Sequence, residues 1–398
     1  MASLPSADRL AGLAPPQEQL LLRLLAGLIT HQIHPDAVAP EQWPAVVTLA
    51  QRHGLGQLLY RAVGQESGGV ARIAALEPLR LARARLAARH LLALKTQRQL
   101  QTLLSGADIP AIWLKGIVLA ELVYPAPELR PMADIDVLVP YEQRQAALQV
   151  VSGAGFRLSH HLLFSGADTL THHYQLLPAT AAGPMVELHF RLIGVGQRLL
   201  SQEQQAWFFD NATQWPGRPD QSRMLRPEAH LLYLAAHAFL HHGEAELRLL
   251  QLYDIHRLLA AFPQWRWDIT LAGAVMLRWT YLLRRALELA AVYWGAQTPP
   301  EVMAELARAR PQAEDPSHVT RRQRPRSSLD ATLDFMTTLS WPQRLRAAGR
   351  ILAPPPSYLR SHERLAHSWQ LPGAYCRRWL ALGAQVWHSV KQKAMHNG

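Results

Sequence analysis

The sequence predicts an α+β fold in which a small mixed β-sheet, with its own helices, is flanked by helical regions on both sides. Two observations support this prediction. Leucine and alanine recur at helical spacings before residue 106 and again after Pro227, so they line one face of each helix. Between these stretches the pattern changes to short apolar runs bounded by glycine and proline, which is typical of buried strands.

The N-terminal part is predicted to be helical. The segments "EQLLLRLLAGLI" and "PLRLARARLAARHLLALKTQRQLQTLL" have helical spacing, whereas "GQESGGVAR" between them is predicted to be a loop. From Pro227 onward the segments "PEAHLLYLAAHAFLHHG" and "LRLLQLYDIHRLLAAF" again have helical spacing. Proline near a helix start and glycine at its end fit the bounds of the first of these.

The middle of the chain carries the predicted sheet. Strands are predicted at residues 109–114, 134–140, 172–179 and 185–192, the last two joined by a turn at "TAAG". One helix opens at Gly116, another is predicted at "YEQRQAALQVVSGAG", and the proline-rich "PAPELRP" forms a loop. The predicted organisation is a helical region at 1–105, an α/β core at 106–200, a helical region at 201–309, a linker or mobile loop at 310–329, and a basic helical region at 330–398.

Composition limits the class of protein. The chain has 398 residues and one cysteine, Cys376, so it cannot form an intrachain disulfide and fits a reducing compartment. The N-terminus "MASLPSADRL" lacks the pattern of a secretory signal, and arginines interrupt the longest apolar windows. The sequence therefore predicts a soluble cytoplasmic protein without a membrane span.

The net charge of +11 is concentrated towards the C-terminus, where residues 301–398 contain 15 Lys and Arg against 7 Asp and Glu. A basic surface attracts phosphate-bearing partners, including nucleotides and nucleic acid. The simpler interpretation is a solvated, arginine-rich surface, because no interleaving of aromatic residues marks a nucleic-acid groove. RNA binding through this region, including "RRQRPR" at 321–326, stays open as an alternative.

Two aspartates in an otherwise apolar strand are the main candidate for chemistry. Asp134 and Asp136 are two residues apart, so both side chains lie on one face of the strand. Two ionised carboxylates this close repel each other unless a cation bridges them. Mg²⁺, or Mn²⁺ in its place, suits one or two carboxylates with substrate phosphates at its other positions. Glu187, in the apolar strand "MVELHFRL", is the candidate for a third acidic ligand.

A Lys-Gly pair before the aspartates predicts phosphate contacts. Gly116 lies at a strand-to-helix turn, where a glycine lets a phosphate approach the backbone and the helix N-terminus favours an anion. Lys115 would add a point charge, and Arg130 a second cation. A carboxylate-bound metal combined with cations directed at a triphosphate is typical of phosphoryl or nucleotidyl transfer.

The stretch "LKGIVLAELVYPAPELRPMADIDVLV" resembles the signature of the polymerase-β-like nucleotidyltransferase superfamily. More closely, the chain resembles a family of uncharacterised bacterial nucleotidyltransferases with an "LKG…R…DIDLLV" core. The segments "LAQRHGLGQLLYRAV", "GADIPAIWLKG", "VELHFRL" and "LYDIHRLL" look like landmarks of that family, over about residues 20 to 370. The resemblance implies a polymerase-β-like nucleotidyltransferase core flanked by helical regions.

The same resemblance implies roles for individual residues. Asp134 and Asp136 would be metal ligands with Glu187 as the third acid, Gly116 the turn glycine, and Lys115 and Arg130 phosphate contacts. An NTP would be the substrate, and the acceptor could be a small molecule, a peptide, a protein or RNA. The chain departs from the superfamily pattern in two places: Ile117 follows Gly116 where glycine or serine is usual, and the third acid is a glutamate. A nucleotide-binding accessory protein with little or no turnover is therefore the alternative.

Three further residues have two interpretations each. His237 and His241 are spaced to share a helix face and could bind zinc, although ordinary helix histidines fit the pattern better. Asp254 could approach the nucleotide or the acceptor, or else pair with a nearby arginine. His189 is predicted to face the same side as Glu187, as a group beside the metal ligands or a general base.

Overall fold

A computed structural model describes residues 16–64, 69–159, 172–179, 183–193, 200–242, 247–308, 341–354, 356, 359, 365 and 367–396. The predicted linker at 310–329 and the basic segment at 321–326 lie outside the described residues. In the described part of the chain, no helix combines the length and apolarity needed to cross a membrane.

The described helices and strands follow one another in the predicted general order, with helices before and after a sheet. The strands are β1 Ile112–Leu114, β2 Asp134–Leu138, β3 Phe156–Leu158, β4 His173–Pro178, β5 Met185–His189, β6 Ala212–Gln214 and β7 Arg223–Leu225. The helices are α1 Pro16–Ile29, α2 Trp43–Arg52, α3 Gly56–Val63, α4 Val70–Gly106, α5 Lys115–Leu122, α6 Arg144–Gly153, α7 Gln202–Asp210, α8 Pro227–Ala236, α9 Leu249–Ala261, α10 Trp267–Leu277, α11 Thr280–Trp294, α12 Pro300–Arg308, α13 Trp341–Leu352 and α14 Leu371–His396. After α8 the chain continues as a π-helical turn, His237–His242.

The described strands form one mixed sheet in the order β3-β4-β5-β2-β1-β7-β6. Strand β2 is parallel to β5 and antiparallel to β1, and β4 runs antiparallel to β5 as the sequence predicts. The overall class, α+β with a mixed sheet flanked by helices, is confirmed.

The sheet extends beyond the predicted core. Residues 212–214 and 223–225 were predicted to belong to a helical region, but they form β6 and β7, and β7 pairs in parallel with β1. Strand β3 was not predicted either. Each of these strands has three residues, which is too short to show the alternation that marks a strand in sequence.

The two faces of the sheet pack against different layers. On one face Trp113, Ile135 and Val137 pack with residues of α4 and α6. On the other face Leu114 and Leu138 join a core that also contains residues of α1, α3, α8, α9 and α11. The N-terminal helices and the helices after residue 226 therefore share one hydrophobic core. Since strand side chains alternate, Asp134 and Asp136 lie on this second face, beneath the later helices.

Candidate functional site

Strand register brings two of the predicted acids together. Strands β2 and β5 are parallel, and Asp136 lies directly opposite Glu187, while Asp134 lies opposite Met185. Directly paired residues on one sheet face have neighbouring side chains. The alternation that sends Ile135 and Val137 into one core thus places the three acids on the other face, at adjacent positions of two strands.

Lys115 is the cation that contacts Asp136. It follows β1, whose last residue, Leu114, is opposite Asp136, and its Nζ lies 2.7 Å from Asp136 Oδ1. Lys115 has a φ of 43°, in the left-handed region, at the point where the chain turns from strand to helix. Burial alone would lower the pKa of Lys115, but the charge of Asp136 outweighs it and the pKa is raised. The lysine is therefore charged in the site.

Tyr233 of α8 and His237 of the π-helical turn lie next to Lys115. Lys115 Nζ is 3.1 Å from His237 Nε2, and it lies 5.6 Å from the centre of the Tyr233 ring. His237, which the sequence allowed to be either an ordinary helix histidine or half of a zinc pair, thus contacts the lysine. The side chain of His241 lies outside the described part of the chain.

His189 connects the two facing carboxylates. Its Nε2 is 3.0 Å from Asp136 Oδ1 and 3.4 Å from Glu187 Oε2, so it faces the same side as Glu187, as predicted. Burial opposes protonation of His189, but hydrogen bonds to both carboxylates raise its pKa. Burial would raise the pKa of Asp136, but the charge of Lys115 and the hydrogen bond with His189 outweigh burial, so the pKa is lowered. Lys115 and the hydrogen-bonding ring of His189 thus compensate the buried acids from within the chain.

Glu187 also receives a contact from β4. Gln175 lies opposite Glu187 across the β4–β5 pair, and its Nε2 donates a hydrogen bond to Glu187 Oε1 at 3.2 Å. His173 Nε2 is 3.8 Å from the same oxygen. Burial would raise the pKa of Glu187, but hydrogen bonding to His189 lowers it, so Glu187 is an anion.

Asp134 differs from the other two acids. It is half-buried, and its carboxylate takes part in none of the side-chain hydrogen bonds and ion pairs between described residues that hold Asp136. Burial, followed by the negative charge of Asp136, raises the pKa of Asp134 to about 6. A carboxylate without a counter-ion next to another carboxylate is stabilised by an added cation. Asp134 is therefore the acid of this site that an added cation would stabilise.

Gly116 and Arg130 are in contact. A Cβ at Gly116 would stand 2.6 Å from Arg130 Nη1, so only glycine fits there without displacing the guanidinium. Arg130 donates two hydrogen bonds to Asp254 of α9, from Nε at 3.0 Å and from Nη2 at 2.8 Å. Tyr124 donates a third to Asp254 Oδ1 at 2.6 Å. Of the two interpretations of Asp254, the structure shows the pairing with an arginine.

Two overlapping groups of described side chains have the spacing of metal ligands. One is Asp136, Glu187 and His189; the other is His172, His173 and His189; within each group the ligand atoms lie within 4.8 Å of one another. Asp134 belongs to neither group. The three predicted acids therefore lie at adjacent positions, but only Asp136 and Glu187 share one of these ligand groups. The two carboxylates of the first group are oxygen ligands of the kind that Mg²⁺ and Mn²⁺ take.

Four further residues, His172, His173, Gln175 and Tyr233, lie at the site and were not predicted from the sequence. The available signal was strand periodicity: "HHYQ" and "ELH" alternate in phase, and antiparallel pairing sets His173 opposite His189. Tyr233 comes from a helix far along the chain, and no local pattern connects it to Lys115.

A cavity of about 460 Å³ lies beyond the carboxyl ends of β2 and β5. These two strands are parallel neighbours, so their carboxyl ends lie side by side. Its lining includes Pro140 and Tyr141 after β2, Arg191 after β5, and Gln205 and Phe209 of α7. This volume suits a small organic molecule.

The fold is of the α+β class, with helices on both sides of a mixed sheet that carries the acidic site. The chain belongs to the uncharacterised nucleotidyltransferase family, whose family model matches residues 39–295. This confirms the resemblance noted in the sequence. A comparison with curated proteins gives no match. Membership implies general nucleotidyl transfer and a nucleotide substrate.

Proposed function

We propose that the protein transfers a nucleoside monophosphate from an NTP to an acceptor hydroxyl in a metal-dependent reaction that releases pyrophosphate. The observation that supports this most directly is the facing pair of Asp136 and Glu187 on parallel strands, with the unpartnered carboxylate of Asp134 beside them among the described residues. Mg²⁺, or Mn²⁺, would bind to these three acids, which supply hard oxygen ligands.

Charge balance explains how the site would change when a metal ion and an NTP bind. Asp136 is paired with Lys115 and His189, and both pairs are buried. A divalent cation at Asp134 and Asp136 would replace part of this internal neutralisation. Lys115 would then be available to a phosphate oxygen of the NTP, which reaches the site together with the metal.

The proposed chemistry is an in-line displacement. The acceptor oxygen forms a bond to the α-phosphorus, the bond from that phosphorus to the bridging oxygen breaks, and pyrophosphate leaves with the bonding electrons. The hydroxyl proton passes to a carboxylate of the site, for which Asp134 and Glu187 are the candidates. The bound metal would neutralise charge that develops on the phosphate oxygens.

Arg130 is proposed to contact the phosphates through Nη1. Its Nε and Nη2 are engaged by Asp254, whereas Nη1 lies beside Gly116, at the start of α5. Because Asp254 and Tyr124 fix the guanidinium in place, a phosphate at this position would meet a cation that is already oriented.

A nucleotide-binding accessory protein is the second candidate. Both cations assigned to phosphate binding are ion-paired with acids of the chain, Lys115 with Asp136 and Arg130 with Asp254. Ile117, after Gly116, adds no polar group to the turn. This candidate binds NTP without releasing pyrophosphate. RNA as the acceptor, or RNA binding through the basic C-terminal region, stays a prediction.

The test is pyrophosphate release by the purified full chain with each NTP and Mg²⁺ or Mn²⁺, with cell extract as the acceptor source. The Asp134→Asn, Asp136→Asn double variant should lose release. Asp268→Asn is the matched control, because Asp268 is an exposed carboxylate on α10. Equal release by the double variant and wild type would disprove metal-dependent transfer at this site, and tight NTP binding without release would favour the accessory candidate.

A further inference from the structure

Three histidine rings meet at the edge of the acidic site. His173 of β4 lies directly opposite His189 of β5, and His172 precedes β4. The ring centres are 4.3 Å apart for His172 and His173, 5.1 Å for His173 and His189, and 5.6 Å for His172 and His189. His172 is 6% exposed and His189 is 1% exposed.

The two nitrogens of His189 have different surroundings. Nε2 contacts the carboxylates of Asp136 and Glu187, so a hydrogen on Nε2 is donated to them. Nδ1 is buried and has no hydrogen-bond partner among the described residues. An imidazole that donates one N–H to a carboxylate and keeps the other nitrogen unpaired has the arrangement found in histidine metal ligands. Leaving a buried polar nitrogen without a partner is costly, and a ligand there removes the cost.

We propose that His172, His173 and His189 bind one transition-metal ion, such as Zn²⁺, at a site next to the Mg²⁺ carboxylates, which His189 contacts through Nε2. Imidazole nitrogen is a borderline-soft ligand that suits Zn²⁺ and similar ions, whereas Mg²⁺ requires oxygen. Asp136 holds the His189 ring through Nε2. Glu187 Oε1, 3.8 Å from His173 Nε2, places a negative charge next to the imidazoles. The site leaves room for a further ligand, because three protein nitrogens do not complete a zinc coordination sphere.

The coordination itself provides a test that needs no enzyme activity. The full chain is stripped with a chelator, loaded with less than one equivalent of Zn²⁺, and examined by X-ray absorption at the zinc edge. Imidazole rings produce a characteristic outer-shell scattering that counts them. We expect two or three imidazoles in wild type. Zinc bound by oxygen ligands alone, or no retained zinc, would overturn the proposal.

Variants locate the site. His172→Gln and His173→Gln should each weaken Zn²⁺ binding by more than about 100-fold, since loss of a ligand costs more than loss of an outer-shell partner. Asp136→Asn should weaken it by about 10–100-fold through the His189 ring. His256→Gln is the matched control, because His256 is a half-buried histidine of α9 outside both ligand groups, and it should bind zinc as wild type does. Circular dichroism of each variant confirms that it is folded.

A further variant separates this proposal from nucleotidyl transfer. Asp134→Asn should retain the imidazole-bound Zn²⁺, because Asp134 belongs to neither ligand group, while it should lose Mg²⁺-dependent pyrophosphate release. If zinc binding persists and release was never present, the histidine site stands and the transfer proposal fails. If release depends on the aspartates but both histidine variants bind Zn²⁺ as wild type does, the transfer proposal stands and the histidine site is wrong.

Discussion

The pair of Arg130 and Asp254 makes a quantitative prediction about stability. Asp254 is 1% exposed and Arg130 is 10% exposed, and two hydrogen bonds of 3.0 and 2.8 Å join them. In Asp254→Asn the guanidinium stays buried and charged without its counter-charge, and Tyr124 loses a charged acceptor. Breaking a buried pair in this way costs about 3–5 kcal/mol. Urea denaturation of the variant should show this loss in the free energy of unfolding.

The chain contains a matched control for that measurement. Arg266 and Asp268 have the same two-pronged geometry, with hydrogen bonds of 3.0 and 2.7 Å, but both side chains are 65% exposed. Asp268→Asn should therefore leave stability nearly unchanged. Replacing both buried partners, Arg130→Met with Asp254→Leu, should restore most of the lost stability. A loss below about 1 kcal/mol in Asp254→Asn would refute the argument that burial makes this pair structurally important.

Two further predictions concern packing and pH. Gly116→Ala should destabilise the fold by about 1–3 kcal/mol in urea denaturation, because the new Cβ would stand 2.6 Å from Arg130 Nη1. Gly153→Ala is the control and should be neutral or stabilising, because nothing lies within 4 Å of a Cβ at Gly153. Equal effects of the two substitutions would contradict the steric explanation. His230 is buried, and burial lowers its pKa from 6.5 to about 3, so the unfolded chain binds a proton there more tightly than the folded chain. Its contribution to stability is present above pH 6.5 and is lost as pH falls towards 3, by roughly 2 kcal/mol at pH 5. His230→Leu should reduce the slope of stability against pH between 7 and 5, and an unchanged slope would exclude His230 as its cause.

The sequence was sufficient for the parts of the site that local periodicity controls. Asp134 and Asp136 alternate with Ile135 and Val137, so the strand and its acidic face follow from spacing alone. The same alternation places Glu187 and His189 on one side of β5. These predictions needed no information about which strands pair.

Long-range contacts explain what the sequence could not supply. The pairing of Arg130 with Asp254 depends on how α9 packs over the sheet, and Lys115 meets Asp136 only because β1 and β2 are adjacent. Gly116 was predicted to admit a phosphate, whereas its closest neighbour in the structure is Arg130. Such contacts follow from tertiary packing, for which spacing in the sequence carries no signal.

The most direct test of the proposed function follows the α-phosphate itself. The full chain is incubated with Mg²⁺, acceptor extract and NTP labelled at either the α- or the γ-phosphate, alongside Asp136→Asn and the control Asp268→Asn. We predict that the acceptor gains label from the α-phosphate and not from the γ-phosphate, only with Mg²⁺, and only in wild type and Asp268→Asn. Label from the γ-phosphate, or α-label that persists in Asp136→Asn, would contradict it.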